Sequence, residues 1–407
     1  MDSRLPGNNR HLGDTIGDLV RMTQADRPPS TPIRVCFPLV GDTLGGSHIS
    51  TLELVRHLNR RTFSPVIALH EVGPVSAYLQ NLDIPYVLAP RGTLVGRVGA
   101  IATARAMLSS AIRLRRFLRT NGLRVVHTND LRMHMSWGPA ARLAAAKYVL
   151  HHRTPAPGLK ATVPARFANA IITISEYCRQ SFPSSMRRRA HVITNPFSLP
   201  DTLLDRVTAR SVLLRELDET SNCRVVAFVA NFTERKRPLT FVDIVDRLQQ
   251  RNHAGVRALM FGEPREPMAA NVASRIANLG LEKVCEVVGP RFPIEPVLAG
   301  CDVLVVPAVN EGFGRTLVEA MLVGTPVVAS RSGAHSEIIE DGVTGLLVEP
   351  DQPKAFASAV GRLLDDPPLA NELAATAQAV AQERYSAAKH ARTVESVYAR
   401  LLRVDEP

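Results

Sequence analysis

Residues 302–321 read DVLVVPAVNEGFGRTLVEAM. After Asp302, residues 303–307 form a short, unbroken apolar run, the pattern of a strand buried on both faces in a parallel sheet. A loop follows with Gly312 and Gly314, and a helix is expected to start near Arg315 and Thr316. Glycine lets the backbone approach a ligand closely, and the first turn of a helix carries N–H groups with no intrahelical partner. A loop and helix start at the carboxyl end of a buried strand therefore make an anion site suited to a diphosphate. Glu311 stays in the loop, while Glu319 falls about a turn inside the helix. Carboxylates on both sides of an anion site suit a ligand with hydroxyl groups on both sides of a diphosphate. A carboxylate that merely pairs on a helix surface is the plainer reading of Glu319, and the loop–helix context argues against it.

The same strand-and-helix alternation extends in both directions, the pattern of parallel α/β sheets. Strands are expected downstream at TPVVAS (325–330) and GLLVEP (345–350), and upstream at RVVAFVA (224–230), VRALMFG (256–262) and VCEVVG (284–289). The first half repeats the scheme with IRVCFPLV (33–40), PVIALH (65–70), YVLA (86–89), LRVVH (123–127), YVLHH (148–152), AIITIS (170–175) and HVITNPF (191–197). Ala104, Met107, Ala111, Leu114 and Leu118 recur at helical spacing and predict a long helix over 101–119. The fold class is α/β, with two Rossmann-like parallel-sheet domains facing a central cleft where the carboxyl ends of both sheets meet. The expected division is a disordered leader over 1–32, an acceptor-side domain over 33–198 and a donor domain over 199–385. A C-terminal helix over 386–407 is expected to pack back on the first domain. A final helical stretch is read over 351–402.

Composition limits the function classes. The chain of 407 residues exceeds one ordinary core, and 45% hydrophobic with 21% charged residues describes a globular protein. No apolar run reaches the roughly 18 residues of a membrane span. The polar first thirty residues lack the apolar core of a signal peptide. Five scattered cysteines without CxxC spacing suit a reducing cytoplasm. The net charge of +11 is uneven: residues 1–200 carry 26 Lys and Arg against 10 Asp and Glu, whereas 201–407 carry 23 against 28. On the 101–119 helix Arg105, Arg113, Arg115, Arg116 and Arg119 fall on one arc opposite the apolar residues. Such a face is either a solvated surface or a contact for an anionic membrane, which would make the protein peripheral at the inner face. Nucleic acid is not an expected partner, because aromatic residues are only 5% and no recognition motif accompanies the charge.

From residue 225 to 366 the chain resembles the retaining glycosyltransferases of family 4, which have the GT-B fold. The resemblance rests on VAFVANFTERKRPL, on ALMFGE, and on the E-x7-E block between DVLVVP and LLVEP with its flanking strands and helix. The first domain is similar more loosely, through Gly45-Gly46, HTND at 127–130 and the strand spacing. The resemblance implies that Glu319 binds the donor ribose and Glu311 the hydroxyls of the donor sugar. The amides of Gly312, Phe313, Gly314, Arg315 and Thr316 would lie along sugar and diphosphate. Lys236 would stabilise the leaving diphosphate, where negative charge develops. The family's usual arginine a few residues earlier is Asn231 here, with Arg235 or Arg237 as stand-ins. A histidine common in the family two residues beyond His127 is Asn129 here, which leaves His127 as a candidate for the catalytic imidazole. Gly46 is a candidate phosphate neighbour, and Asn129, His152 and Arg153 are acceptor-side candidates.

Competing motifs fail on particular residues. The G-x4-G-S over 41–47 is followed by His48 where a phosphate-binding P-loop has lysine. GFGRTL lacks the third glycine of a dinucleotide fingerprint. No D-x-D pair or His/Cys cluster with ligand spacing occurs, so no metal or cofactor is expected beyond the nucleotide sugar as co-substrate. Phosphorylases and epimerases that share the fold lack the E-x7-E block. A non-catalytic sugar-nucleotide or carbohydrate-binding protein remains the alternative. UDP-sugars are the default donors because they are the commonest. The acceptor is open: a glycan, a lipid-linked sugar or a small molecule, with polysaccharide or glycolipid assembly as the expected setting.

Overall fold

Among the described residues thirteen strands form two wholly parallel sheets with the same winding. β1 (Ile33–Leu39), β2 (Phe63–Leu69), β3 (Tyr86–Leu88), β4 (Val125–Thr128), β5 (Lys147–His152), β6 (Ala170–Thr173) and β7 (Ala190–Val192) make the first sheet. β8 (Arg224–Val229), β9 (Val256–Phe261), β10 (Cys285–Gly289), β11 (Val303–Val306), β12 (Val327–Ser330) and β13 (Leu346–Val348) make the second. The orders are 3-2-1-4-5-6-7 and 10-9-8-11-12-13. This computed structural model describes residues 31–90, 100–156, 158–198, 205–218, 223–251 and 255–403, with backbone only over 100–108 and at 160. The expected leader lies outside the described residues up to residue 30, and the crossing between the sheets does so over 199–204.

Each sheet is covered on both faces, which explains why its strands are continuously apolar. In β1, Val35, Phe37 and Leu39 pack with Leu52 and Val55 of the helix Gly46–His57, while Cys36 faces the opposite layer with Leu114, Leu118 and Trp137. In β8, Val225 and Ala227 face one layer, and Val226 and Phe228 the other. The expected long helix runs Ala100–Thr120; it buries Ala111, Leu114 and Leu118 and exposes Arg113, Arg116 and Arg119. Arg115 is half-buried and donates to the Leu143 carbonyl, and the side chain of Arg105 lies outside the described residues. Among the described residues no helix is long and apolar enough to cross a membrane.

The stretch read as helical over 351–402 divides into three helices, Pro353–Asp365, Pro367–Arg384 and Ala387–Leu402. Two prolines follow Asp366, whose side chain caps the next helix by accepting from the Leu369 N–H. Proline fits the first helical turn and cannot continue a helix already begun. Between the last two helices the chain crosses back: the Phe197 N–H donates to the Tyr385 carbonyl and the Ala387 N–H to the Phe197 carbonyl. The closing helix then lies on the first sheet, with Ala391, Val394, Val397 and Tyr398 buried among Val35, Phe37 and Phe63.

Candidate functional site

In both sheets the winding reverses between two adjacent strands, β1 and β4 in the first and β8 and β11 in the second. Ligands of open α/β sheets bind outside the carboxyl ends at such a point. The segments leaving β8 and β11 therefore must meet, and they do: the Val309 N–H donates to the Arg235 carbonyl. Glu311, only 7% exposed, then receives two cations on one oxygen, Lys236 Nζ and Arg235 Nη1, each 3.0 Å from Oε1. Burial by itself raises the pKa of the Glu311 carboxyl, but Lys236 and Arg235 outweigh it and hold it below the ordinary value. One carboxylate facing two cations leaves an excess positive charge beside the helix start, where a further anion fits.

The helix Arg315–Leu322 is fixed by its own apolar side. Leu317, Val318, Ala320 and Met321 are buried in the core of the second sheet, each larger side chain stabilising by roughly 1.5–3 kcal/mol. Gly314 precedes the helix in the left-handed region. Gly312 is demanded by the opposite domain: a Cβ there would lie 2.9 Å from Cys178 Sγ and from Pro155 Cδ. Its carbonyl accepts from the Ser175 hydroxyl at 2.6 Å. The donor-side loop thus touches the first domain directly. Glu319, 9% exposed, is paired with Arg315 Nη2 at 3.1 Å. Burial raises its pKa, against the opposing pull of Arg315.

Of the proposed donor-side residues, Phe313 is a core anchor. Its ring is buried against Phe197 and Tyr385, so only its backbone is left to face a ligand. Thr316 is half-buried in the first helical turn. Asn231 is exposed and its side-chain oxygen accepts from the Glu263 N–H at 3.0 Å. Of the two stand-in arginines, Arg235 reaches Glu311 whereas Arg237 pairs with Glu234 and Asp351.

The acceptor-side candidates separate. Asn129 and Arg153 are together: Arg153 Nε donates to Asn129 Oδ1 at 2.9 Å, and its Nη1 donates to Asn195 Oδ1. Arg153 is 8% exposed, and burial followed by the nearby Arg315 pushes its pKa down to about 9, so it remains a cation at neutral pH. Its backbone carbonyl lies 3.1 Å from where a Cβ on Gly312 would sit. His152 points into the other layer, with its ring on Phe182 and its pKa lowered to about 4 by burial. Strand alternation separates it from its neighbour Arg153. His127 is fully buried; it shares hydrogen bonds with the Tyr398 hydroxyl and with His151, and burial pushes its pKa well down. An imidazole with both nitrogens occupied inside the core has none to offer a sugar, which removes the physical basis for reading His127 as catalytic.

Sequence reasoning missed the residues that join the halves. The Glu337 carboxylate accepts from the Glu176 and Tyr177 N–H groups at 2.8 and 2.7 Å, and the Tyr177 hydroxyl donates to Asn310. Ser175 is visible in sequence only as a helix cap, which it also is, accepting from the Cys178 N–H.

Two comparisons of sequence and one of structure converge on this geometry. Residues 44–199 match the description "Glycosyltransferase Family 4" and residues 223–366 match "Glycosyl transferases group 1". The D-inositol 3-phosphate glycosyltransferase of Corynebacterium efficiens is 37% identical over 167 residues, 40% of this chain and 39% of that protein. Its namesake from Corynebacterium glutamicum is 38% identical over 167 residues, 40% of each chain. The matched region thus spans about two fifths of these curated relatives. Anabaena HepE in complex with UDP-glucose shares the fold with a TM-score of 0.75 at 20% identity, over 90% of this chain and 100% of that one. A glycosyltransferase from Rickettsia africae does so with a TM-score of 0.78 at 19% identity, over 92% and 100%. With matches in both halves, an E-x7-E block in place and two sheets wound alike, the chain belongs to the GT-B glycosyltransferases of family 4.

Proposed function

We propose that the protein is a retaining glycosyltransferase that moves a sugar from a nucleotide-diphosphate donor, by default a UDP-sugar, to an acceptor hydroxyl. The observation that carries this reading is the pair of cations, Lys236 and Arg235, on the buried Glu311 at the head of the helix Arg315–Leu322. In the reaction the bond from the anomeric carbon to the diphosphate oxygen breaks, and its electron pair leaves with the diphosphate. The acceptor oxygen bonds to that carbon, and its proton passes to a donor phosphate oxygen. Lys236, Arg235 and the amides of the first helical turn oppose the charge that builds on the leaving group. Arg235 thereby takes the part of the arginine absent at Asn231. Glu311, held ionised, accepts from sugar hydroxyls, and Glu319 accepts from the ribose. These groups need no metal to neutralise the diphosphate, so EDTA should leave activity largely intact.

Asn129 and Arg153 border the same loop and are the acceptor-side groups of this reading. The neutral partners of Arg153 leave its charge uncompensated, which favours an acceptor bearing an anionic group. A screen of nucleotide sugars for slow hydrolysis, with the anomer of the released sugar followed by NMR, tests the reading. Release of the same anomer as in the donor supports it; inversion contradicts the retaining step, and no turnover or binding with any donor returns a carbohydrate-binding protein as the better account. The exposed Arg113, Arg116 and Arg119 further support a peripheral contact with anionic membrane. Salt-reversible cosedimentation with anionic vesicles, weakened when these three become glutamine, is the expected result; equal binding to neutral vesicles contradicts it.

A further inference from the structure

Arg315 is the first residue of the donor-side helix, yet its side chain reaches across the cleft. Its Nη2 meets Glu319 Oε1 at 3.1 Å, and its Nη1 donates to Ser50 Oγ at 2.7 Å and to the Pro196 carbonyl at 3.3 Å. Its guanidinium lies 4.2 Å over the Phe197 ring, a stacked arrangement that lysine does not reproduce. Its Cδ lies 2.8 Å from where a Cβ on Gly46 would stand. The glycine at the start of the helix Gly46–His57 thus makes room for this side chain.

One guanidinium therefore connects the ribose-side carboxylate, a helix of the first domain and the segment that leaves the first domain. We propose that Arg315 is a positioning residue: it aims the Glu319 carboxylate at the donor ribose and ties that carboxylate to the first domain through Ser50 and Pro196, so that donor binding and domain docking are coupled. The proposal rests on the donor reading above. Glu319 is buried, and the charged groups around it are Arg315 on its own helix, Glu295 on the helix Glu295–Gly300 and Lys236 on the turn after β8. Glu295 and burial favour the protonated acid, and Arg315 is the largest influence opposing them. Without Arg315 the carboxyl protonates at higher pH and loses capacity to accept from two hydroxyls.

The experiment is calorimetric titration of the full chain with UDP, GDP and ADP between pH 5.5 and 8.5. Wild type, Arg315→Leu, Arg315→Lys, Ser50→Ala and Glu319→Ala are compared, with thermal melts confirming that each is folded. Arg315→Leu should weaken nucleotide binding at pH 7 by on the order of tenfold, as expected for losing a charge-assisted contact. It should also move the acidic fall-off in affinity to higher pH. Arg315→Lys should restore the pH profile but only part of the affinity, and Ser50→Ala should give a smaller loss with an unchanged profile. An Arg315→Leu variant with wild-type affinity and profile, while Glu319→Ala is weak, overturns the inference and leaves the donor reading standing. Failure of the wild type to bind any of the three nucleotides overturns both.

Discussion

The two domains are wound alike, with the sheet reversal at corresponding places, but they use those places differently. In the second domain the segments after β8 and β11 present charge: two cations, two buried carboxylates and a free helix start. In the first domain the corresponding region is closed on itself. His127, His134, His151, His152 and His390 are all buried, and burial is the first cause that lowers each pKa. His127, His151 and His390 are neutral, packed groups beside Arg153 and the closing helix, and His134 and His152 pack in the opposite layer. The same fold thus presents a charged loop and helix start on one side and packed, neutral imidazoles on the other. The difference teaches that a strand-end histidine is informative only once its ring nitrogens are accounted for.

The comparison breaks most easily at Lys236. Lys236→Ala should lower turnover by roughly a hundredfold or more, as for loss of one preorganised charge stabiliser. Steady-state kinetics with the best donor from the screen would check this, and a variant within threefold of wild type would contradict it. Glu311→Ala should act mainly on turnover and Glu319→Ala mainly on donor affinity, because the second contact persists throughout the reaction.

Acid should separate the domains next. For a histidine whose folded pKa is depressed, stability is fully present above the unfolded pKa of about 6.5 and is lost as pH falls below it. Each such histidine contributes a slope of about 1.4 kcal/mol per pH unit in that window. Among the described residues the first domain with its closing helix holds eight, His48, His70, His127, His134, His151, His152, His191 and His390, whereas His335, lowered to about 4, is the corresponding group beside the loop after β11. The single Trp137 is buried in the first domain and donates to His70, so its fluorescence reports on that half. Its transition should move steeply to lower temperature below pH 6.5, ahead of the far-ultraviolet signal of the whole chain. Coincident transitions at every pH would contradict this.

Smaller effects sharpen the contrast. His127→Phe should cost about 1–3 kcal/mol of stability through the unpaired Tyr398 hydroxyl and His151, with turnover within severalfold of wild type. A loss as large as that of Lys236→Ala would restore His127 to the chemistry. Ser175→Ala, which leaves the Gly312 carbonyl without its hydroxyl donor, should lower turnover a few-fold and leave nucleotide affinity nearly unchanged.

Legibility in the sequence follows the same division. All thirteen strands were readable as apolar runs, because strands buried on both faces need continuous hydrophobicity and little else. Their ends shifted by a few residues, most at β7, where an expected 191–197 shrinks to Ala190–Val192. The loop and helix start after β11 were readable because an apolar strand, two glycines and two carboxylates stand there at fixed spacing. The motif places the Phe313 backbone in the loop but does not show which way its ring turns, which is onto Phe197 and Tyr385. The surroundings of Asn231, His127 and His152 were hidden for a similar reason, since partners such as Glu263, Tyr398 and Phe182 are distant in sequence. Arg315 looked like a helix-start amide, and only the folded chain shows its side chain on Ser50 and Pro196.

The central claim is that a nucleotide diphosphate sits on the loop and helix start of the second domain. Amide hydrogen exchange of the full chain with and without saturating UDP tests this most directly. Slowed exchange is expected over residues 312–316 and 234–236, with the strands beneath unchanged. Binding without protection there, or with protection confined to the first domain's 45–47 segment, would contradict it.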